Sequence, residues 1–362
     1  MLQQPIYDPK KSYEENCDKG PYGLFAKTKP QKISGSPKYK FLGFKINSPF
    51  GIAAGSLPNS RFTNAAFDMG FDVNCYKTRR SEDFPANAWP NVLFVNIKGD
   101  LTLERAKKPL EGSLEPFGKD QNYSITNSFG NPSQDSKIWA QDMKKAVKYA
   151  KPGQLLIASV VGTIKEGFSA EDYYDDFAKA AKVASGAGAK VVELNLSCPN
   201  VASEGVLCYS PDAVLAICKK ARKVLGKKPI VVKFGYFSHT QQKLFVGIID
   251  SIVPYINAVS LINTIPAAVV DKKGNQALPG KGRLVSGICG ASIKWAGLDM
   301  VKRLNKLREK KGYKIEIIGV GGVMKASDFF EYRKAGADVV QSVTAAMWNP
   351  LLAQEIRERI KG

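Results

Sequence analysis

The feature that most constrains the fold is a repeated alternation of short apolar runs with longer stretches of helical period. Continuous apolar strands separated by helices indicate a parallel sheet covered on both faces. Eight such units in about 310 residues predict an α/β fold, the TIM (β/α)8 barrel with insertions. The predicted strands are Phe50–Ala54, Phe71–Lys77, Leu155–Val161, Val191–Asn195, Ile230–Lys233, Ala258–Ile262, Ile315–Gly319 and Val339–Ser342. The predicted helices include Asp135–Ala150, Ala170–Ser185, Pro211–Leu225, Trp295–Glu309 and Ala326–Ala335.

The same pattern divides the chain into an N-terminal extension and one barrel domain. Residues 1–40 are polar, rich in Lys, Pro and Gly and without periodicity, so we expect them to wrap the surface or remain partly loose. Residues 41–362 would form the barrel domain. Residues 94–122 are charged and poorly periodic, which predicts an inserted excursion beside the second or third strand. A doubly wound open sheet is the alternative, but no GxGxxG follows a first strand.

Composition excludes several classes of protein. No run of 18 apolar residues occurs, the N-terminus has no secretion-signal core, and six cysteines are scattered without a CxxC pair. With a single histidine, His239, no His-rich metal site can form. We therefore expect a cytoplasmic protein without a membrane segment or a metal.

The net charge of the chain constrains its function less than its other sequence features do. A net charge of +20 comes from basic residues spread along the whole sequence, with no basic tract interleaved with aromatic residues. A solvated basic surface is therefore favoured over a nucleic-acid site. A positive field also favours anionic cofactors and substrates.

The most specific chemistry stands at the end of the fourth predicted strand, in the sequence ELNLSCPN (193–200). Pro199 ends the strand, so the polar residues lie at its carboxyl end, where barrel enzymes keep their active sites. Asn195 and Asn200 each offer a paired donor and acceptor, which suit the amide edges of a flat heterocycle. Cys198 offers a proton-transfer group with a reference pKa of about 8.5.

The other strand ends carry complementary groups. The first strand ends in the small residues Ala53, Ala54 and Gly55, which let a flat ring approach the backbone. The remaining strand ends supply Lys77 and Thr78, a turn over residues 126–132, Lys233, Asn263 and Thr264, Gly321 and Gly322, and Thr344. Two lysines, several asparagines and a thiol at one barrel mouth predict a site for an anionic, amide-bearing, planar ligand. The glycines and Thr344 stand where barrels commonly hold a phosphate.

These residues carry a family resemblance. The chain resembles the FMN-dependent dihydroorotate dehydrogenases over roughly residues 40–350. The matching sequences are SPFGIAAG (48–55), YKT (76–78), NSFGNP (127–132), ELNLSCPN (193–200), VVK (231–233), INT (262–264), SGICGASIK (286–294), GVGGV (319–323) and AGADVVQSVTAA (335–346). A cysteine at position 198 and the missing membrane helix are similar to the soluble class 1 enzymes, which use Cys as the base.

The resemblance implies a role for each matching residue. Cys198 would be the catalytic base that removes a proton from dihydroorotate while a hydride passes to N5 of the flavin. The implied substrate-binding residues are Lys77, Asn127, Phe129, Gly130, Asn195, Asn200, Asn263 and Thr264. The implied FMN-binding residues are Ala53, Ala54, Gly55, Lys77, Thr78, Asn195, Lys233, Gly287, Gly321, Gly322 and Thr344, with Gly290 nearby. A homodimer is a further expectation.

Three points stay open at the level of sequence. Cys208, on the loop after the fourth strand, is either an alternative base or a half-buried loop residue. The altered loop 201–209 is compatible with a flavin enzyme that acts on another dihydropyrimidine. Val343, at a position where glycine is common in the family, is compatible with a non-catalytic FMN-binding protein.

Overall fold

A computed structural model describes residues 2–27, 37–118, 122–197 and 207–361. The strands are β1 Tyr39–Phe41, β2 Phe44–Ile46, β3 Phe50–Ile52, β4 Val73–Arg79, β5 Phe94–Val95, β6 Leu110–Ser113, β7 Ser124–Asn127, β8 Leu155–Val160, β9 Val191–Asn195, β10 Ile230–Phe234, β11 Ala258–Leu261, β12 Ile265–Val270, β13 Val285–Gly290, β14 Glu316–Val320 and β15 Val339–Ser342. The helices are α1 Tyr13–Lys19, α2 Ser60–Asp68, α3 Leu103–Ala106, α4 Ser136–Tyr149, α5 Ala170–Gly186, α6 Pro211–Leu225, α7 Gln242–Ile252, α8 Lys294–Lys311, α9 Ala326–Lys334, α10 Thr344–Trp348 and α11 Leu352–Lys361.

Eight parallel strands form the barrel, in the order β3-β15-β14-β11-β10-β9-β8-β4. Its two end strands meet where the Asp72 N–H donates to the Phe50 carbonyl at 2.9 Å and the Asn74 side chain accepts from the Ile52 N–H at 3.0 Å. A Cβ on Gly51 would lie 1.8 Å from the Val73 carbonyl oxygen, so this close approach requires glycine. The predicted TIM barrel is confirmed.

The helices follow the local signals in the sequence. Helix α6 spans the predicted residues, with Pro211 in its first turn. Helix α5 begins with a capping box between Ser169 and Asp172, and α8 ends at Gly312 with φ 68°. Helices α2 and α7 also cover the barrel, although the sequence had not singled them out. His239 lies in the short 3-10 turn before α7.

The barrel interior has an apolar lower half. Alternate residues of the strands point inward and pack together as Val73, Leu155, Ile157, Val191, Val231, Ala258, Ile318 and Val339. The β1–β2 hairpin covers this end, because Phe41 and Ile46 belong to the same buried cluster. Two residues further along the strands the buried inward positions become polar, with Cys75, Glu193, Lys233, Ser260 and Gln341.

A second, smaller barrel stands at the opposite end and is called the cap here. It closes through the strands β12-β13-β7-β5-β6, which come from residues 94–127 and 265–290. The predicted excursion at 94–122 is therefore an insertion between the second and third barrel strands, β4 and β8, and it supplies β5 and β6. Its other half, the β12–β13 hairpin, was not expected from the sequence.

The described part of the N-terminal extension packs against the rest of the chain. Ile6, Tyr7 and Phe25 are buried in the main hydrophobic core, and the Ile6 N–H donates to the Met347 carbonyl at 2.8 Å. Helix α1 is capped by Ser12. Residues 2–27 thus wrap the surface with apolar anchors instead of remaining loose.

No helix within the described ranges combines the length and the apolar character needed to cross a membrane.

Candidate active site

A cavity lies between the carboxyl ends of the barrel strands and the cap. This is the end of a barrel at which catalytic groups are found. Ten of the residues predicted for the site line it: Ala54, Gly55, Asn127, Phe129, Lys233, Asn263, Thr264, Gly321, Gly322 and Thr344. Residues from five barrel strands or their following loops therefore converge there, together with Asn127 and Phe129 from β7 of the cap and the loop after it.

Glycines shape one end of this cavity. Gly321, Gly322 and Gly290 have φ angles of 120°, 66° and 101°, a region that favours glycine. A Cβ on Gly322 would lie 2.6 Å from the Lys294 backbone nitrogen, and one on Gly290 would lie 2.5 Å from the Tyr123 carbonyl oxygen. The cavity wall is therefore bare backbone here. Such a wall suits an anion.

Lys233 forms part of the inner wall. Its side chain is buried and points from β10 into the cavity. The thiol of Cys289 is on the same wall, and the Thr344 hydroxyl donates to it at 3.6 Å. Burial raises the pKa of the Cys289 thiol to about 11, against the lowering effects of the Thr344 hydrogen bond and the Lys233 charge. Cys289 is therefore a neutral wall residue at physiological pH.

A polar network connects the fourth and sixth barrel strands. The Asn263 side-chain amide donates to the Asn195 Oδ1 at 3.3 Å and to the Ser197 hydroxyl at 3.0 Å. The Ser197 hydroxyl donates to the same Asn195 oxygen at 3.3 Å, and the Asn195 amide donates to Thr78 Oγ1 at 3.5 Å. These bonds fix which edge each amide turns toward the cavity. Ser197 stands inside the recognised motif, yet its positioning role was missed.

The loop over residues 127–132 is held by side chains that the sequence analysis missed. Arg80 donates to the Gly130 and Asn131 carbonyls at 3.2 and 3.1 Å. Arg283 donates to the Ser128 carbonyl and hydroxyl, at 3.2 and 3.1 Å. Both arginines are buried and both bind backbone, so only the folded chain shows what they do.

The aromatic ring of this loop stacks on a predicted site lysine. The Lys77 amine lies 4.3 Å from the centre of the Phe129 ring, a cation–π distance. Tyr7 and Tyr13 of the N-terminal extension contact the same ring edge-on, at 5.4 and 6.1 Å. The N-terminal extension therefore supports the loop over residues 127–132 from behind.

Six predicted residues lie beside the cavity without lining it. Ala53, Thr78 and Asn195 are buried behind its wall, and Lys77 and Gly130 lie in or against the loop just described. Gly287 lies in the cap, opposite Asn127 of β7, where a Cβ would lie 2.3 Å from the Thr264 hydroxyl. Cys198 and Asn200 lie outside the described residues.

Cys208 does not have the properties of a base. It has no exposed surface, and burial raises the pKa of its thiol to about 12. A proton-accepting cysteine needs its thiolate form. Cys208 is thus a buried core residue, more deeply buried than the half-buried position expected.

A parallel barrel whose mouth combines a bare glycine wall, a buried amine and several amides is typical of the TIM-barrel class of enzymes. Comparison with known proteins narrows this class. Residues 101–362 match the family model described as dihydroorotate dehydrogenase. The chain is 36% identical over 365 residues to the dihydroorotate dehydrogenase of Dictyostelium discoideum, covering 98% of this chain and 97% of that protein.

Bacterial relatives agree with this match. The catalytic subunit of dihydroorotate dehydrogenase B (NAD(+)) from Thermodesulfovibrio yellowstonii is 34% identical over 270 residues, which cover 74% of this chain and 82% of that subunit. A putative dihydroorotate dehydrogenase A (fumarate) from Solibacter usitatus is 27% identical over 256 residues, covering 70% and 77%. The chain belongs to the dihydroorotate dehydrogenase family and is a flavin-dependent oxidoreductase, which confirms the family and the enzyme class predicted from the motifs.

Proposed function

We propose that this chain oxidises dihydroorotate to orotate, with FMN as its cofactor and Cys198 as the base. The observation that supports the proposal most is the single cavity that brings the glycine wall, Lys233 and the amides of Asn127 and Asn263 together. A phosphate, a flat ring and an amide-bearing substrate each find a complementary surface there.

The cavity residues fit FMN. The backbone at Gly321 and Gly322, with Thr344, would bind its phosphate, and Ala54 and Gly55 leave room for the ring. FMN, when bound, supplies the hydride acceptor. Lys233 would face the part of the ring that gains negative charge, and an ammonium in a site without water stabilises such charge far better than one in water.

The substrate side of the cavity carries the amides. Asn127, Asn263 and Thr264 would hydrogen-bond the pyrimidine ring, together with Asn195 and Asn200. The Phe129–Gly130 backbone and Lys77 would hold the substrate carboxylate. Cys198 would take the proton from C5 as the C6 hydride leaves, so the C5=C6 double bond of orotate forms. Gly287 would support Thr264 from the cap.

Anaerobic reduction of the purified protein tests the proposal. One non-covalent FMN per chain is expected, and dihydroorotate should bleach its yellow colour whereas dihydrouracil should not. Bleaching by dihydrouracil alone would favour another dihydropyrimidine as substrate. A protein that holds no flavin and takes up none would contradict the proposal.

Cysteine variants test the base. Cys198→Ser should keep FMN and slow flavin reduction about 10²- to 10⁴-fold, the range for loss of a positioned proton-transfer group. Cys208→Ser is the matched control and should cost less than tenfold, because burial keeps that thiol protonated. If Cys208→Ser abolishes reduction while Cys198→Ser reduces normally, the assignment of the base is wrong.

The cellular location and the oligomeric state of the protein are part of the same proposal. A cytoplasmic location is supported by the five described cysteines, all of which are free thiols. A homodimer is supported by the exposed apolar residues Leu284 and Val285 at the edge of the cap. Sedimentation of the holoenzyme measures its mass directly.

A further inference from the structure

Glu193 is a buried acid to which the proposed reaction assigns no role. It has no exposed surface, and neither carboxylate oxygen has a hydrogen-bond partner among the described residues. Moving an ionised carboxylate out of water without a partner is very costly. A carboxylate in this position therefore requires an opposite charge close by.

The strand register brings Lys233 close to it. Glu193 on β9 pairs with Val231 on β10, and Asn195 pairs with Lys233. Because every second residue of a strand shares a face, Glu193 and Lys233 both point into the barrel and are diagonal neighbours. The two side chains form no ion pair in this structure, so their charges act on each other across the barrel interior and not through direct contact.

A third residue reports both charges. Burial raises the pKa of the Cys75 thiol on β4; the Glu193 carboxylate raises it further, and the Lys233 ammonium lowers it. Both charges therefore act on one sulfur atom inside the barrel. That sulfur is buried and accepts a hydrogen bond from the Gln341 side-chain amide at 3.6 Å.

We propose that Glu193 is the buried counter-charge of Lys233 and that, through Lys233, it sets the reduction potential of the flavin. The part that concerns the flavin rests on the function proposed above. Glu193 touches neither the flavin nor the substrate in this scheme, so it is a positioning residue that acts through charge.

The sign of the effect follows from the charges. Lys233 stabilises the negative charge that the flavin gains on reduction, and the Glu193 carboxylate offsets part of that stabilisation. Removing the carboxylate should make the flavin easier to reduce. Removing the ammonium should make it harder to reduce.

Reduction potentials of the holoenzyme test this sign. Glu193→Gln should raise the two-electron potential by at least about 30 mV, which is a tenfold change in the reduced-to-oxidised ratio. Lys233→Met should lower it. The matched control is Ser260→Ala, a neutral change in the same layer at the position paired with Lys233, and it should leave the potential unchanged. An unchanged or lowered potential in Glu193→Gln would overturn the proposal.

Denaturant unfolding of the flavin-free protein tests the charge pair itself. Lys233→Met leaves a buried carboxylate alone and should lower the unfolding midpoint, and the double variant with Glu193→Gln should recover most of that loss. If the two substitutions change the unfolding midpoint additively, the charge pair is contradicted, whether or not the protein binds flavin. If the double variant recovers the unfolding midpoint but the protein binds no flavin, the charge pair is supported and only the proposed cofactor is contradicted. If Glu193→Gln alone does not fold, the comparison of Lys233→Met with the double variant still tests whether the two charges form a pair.

Discussion

The barrel and the cap are both closed arrangements of short buried strands, but they differ in how far apart their strands lie in the chain. Each barrel strand is followed by a helix that returns the chain to the next strand, so the unit repeats locally. The cap joins residues 94–127 to a hairpin at 265–290, and β6 pairs with β12 across more than a hundred residues. Local repetition can be read from a sequence, whereas assembly of two distant insertions cannot.

The two regions also divide the work of the site. The barrel supplies Gly321, Gly322 and Lys233, and the cap with its neighbouring loops supplies Asn127, Phe129 and Thr264. In the proposed function the first group holds the cofactor and the second holds the substrate. Substitutions in the barrel and in the cap should therefore affect different measured properties of the enzyme.

The largest effect on stability is expected when a substitution creates a cavity among the apolar residues in the lower half of the barrel. Ile157 is fully buried among the inward-facing residues, and Ile157→Ala should lower the free energy of unfolding by about 2–5 kcal/mol. Because the cap rests on the barrel, far-UV circular dichroism and flavin release should report one transition. Two separate transitions would show that the cap and the barrel unfold independently.

A smaller effect, of a different kind, is expected in the cap. Arg283 binds the Ser128 and Pro90 carbonyls, and Arg283→Met removes these charge-assisted hydrogen bonds at a cost of about 2 kcal/mol. The substrate loop should loosen, so KM for dihydroorotate should rise about tenfold while the Kd for FMN changes less than twofold. Steady-state kinetics and flavin titration measure the two. Equal increases in KM for dihydroorotate and in Kd for FMN would contradict the division of substrate and cofactor binding between the cap and the barrel.

The smallest effect is expected at the hairpin beneath the barrel. Glu316 accepts a hydrogen bond from the Leu42 N–H, and burial raises the pKa of its carboxyl from 4.5. A raised pKa in the folded state favours folding below the ordinary value and loses that contribution as pH rises through the folded pKa. Glu316→Gln mimics the protonated form, so its stability relative to the natural protein should increase as pH rises above about 4.5. The side chain is partly exposed, so the gain should stay below about 1 kcal/mol. Urea unfolding across this pH range measures it, and no pH dependence in the difference would contradict the shift.

Much of the barrel could be predicted because its signals are local. Helix α6 and strands β9 and β15 have the predicted bounds, and α4 lies between its predicted end residues, which are its caps. Helix α7 and the β12–β13 hairpin were missed. Each hairpin strand has 6 residues, only one of them exposed, but Pro266 in β12 and the glycines Gly287 and Gly290 in β13 weaken the strand signal in the sequence.

The candidate site divides in the same way. Gly321, Lys233, Asn263 and Thr344 were found because each follows a predicted strand, and strand ends of a barrel must converge. Arg80 and Arg283 escaped prediction because they bind backbone carbonyls of a distant loop. Charged residues of that kind are normally exposed, and only the folded chain shows what buries them.

By itself, the sequence determined the barrel, its family and the polar groups at the strand ends, because periodicity and motif order are properties of neighbouring residues. The tertiary structure alone decided that two insertions close into a cap and that the N-terminal extension supports Phe129. It also decided that Glu193 is buried, diagonal to Lys233, with no hydrogen-bond partner among the described residues. These facts depend on which surfaces exclude water, and exclusion of water is a property of the whole folded chain.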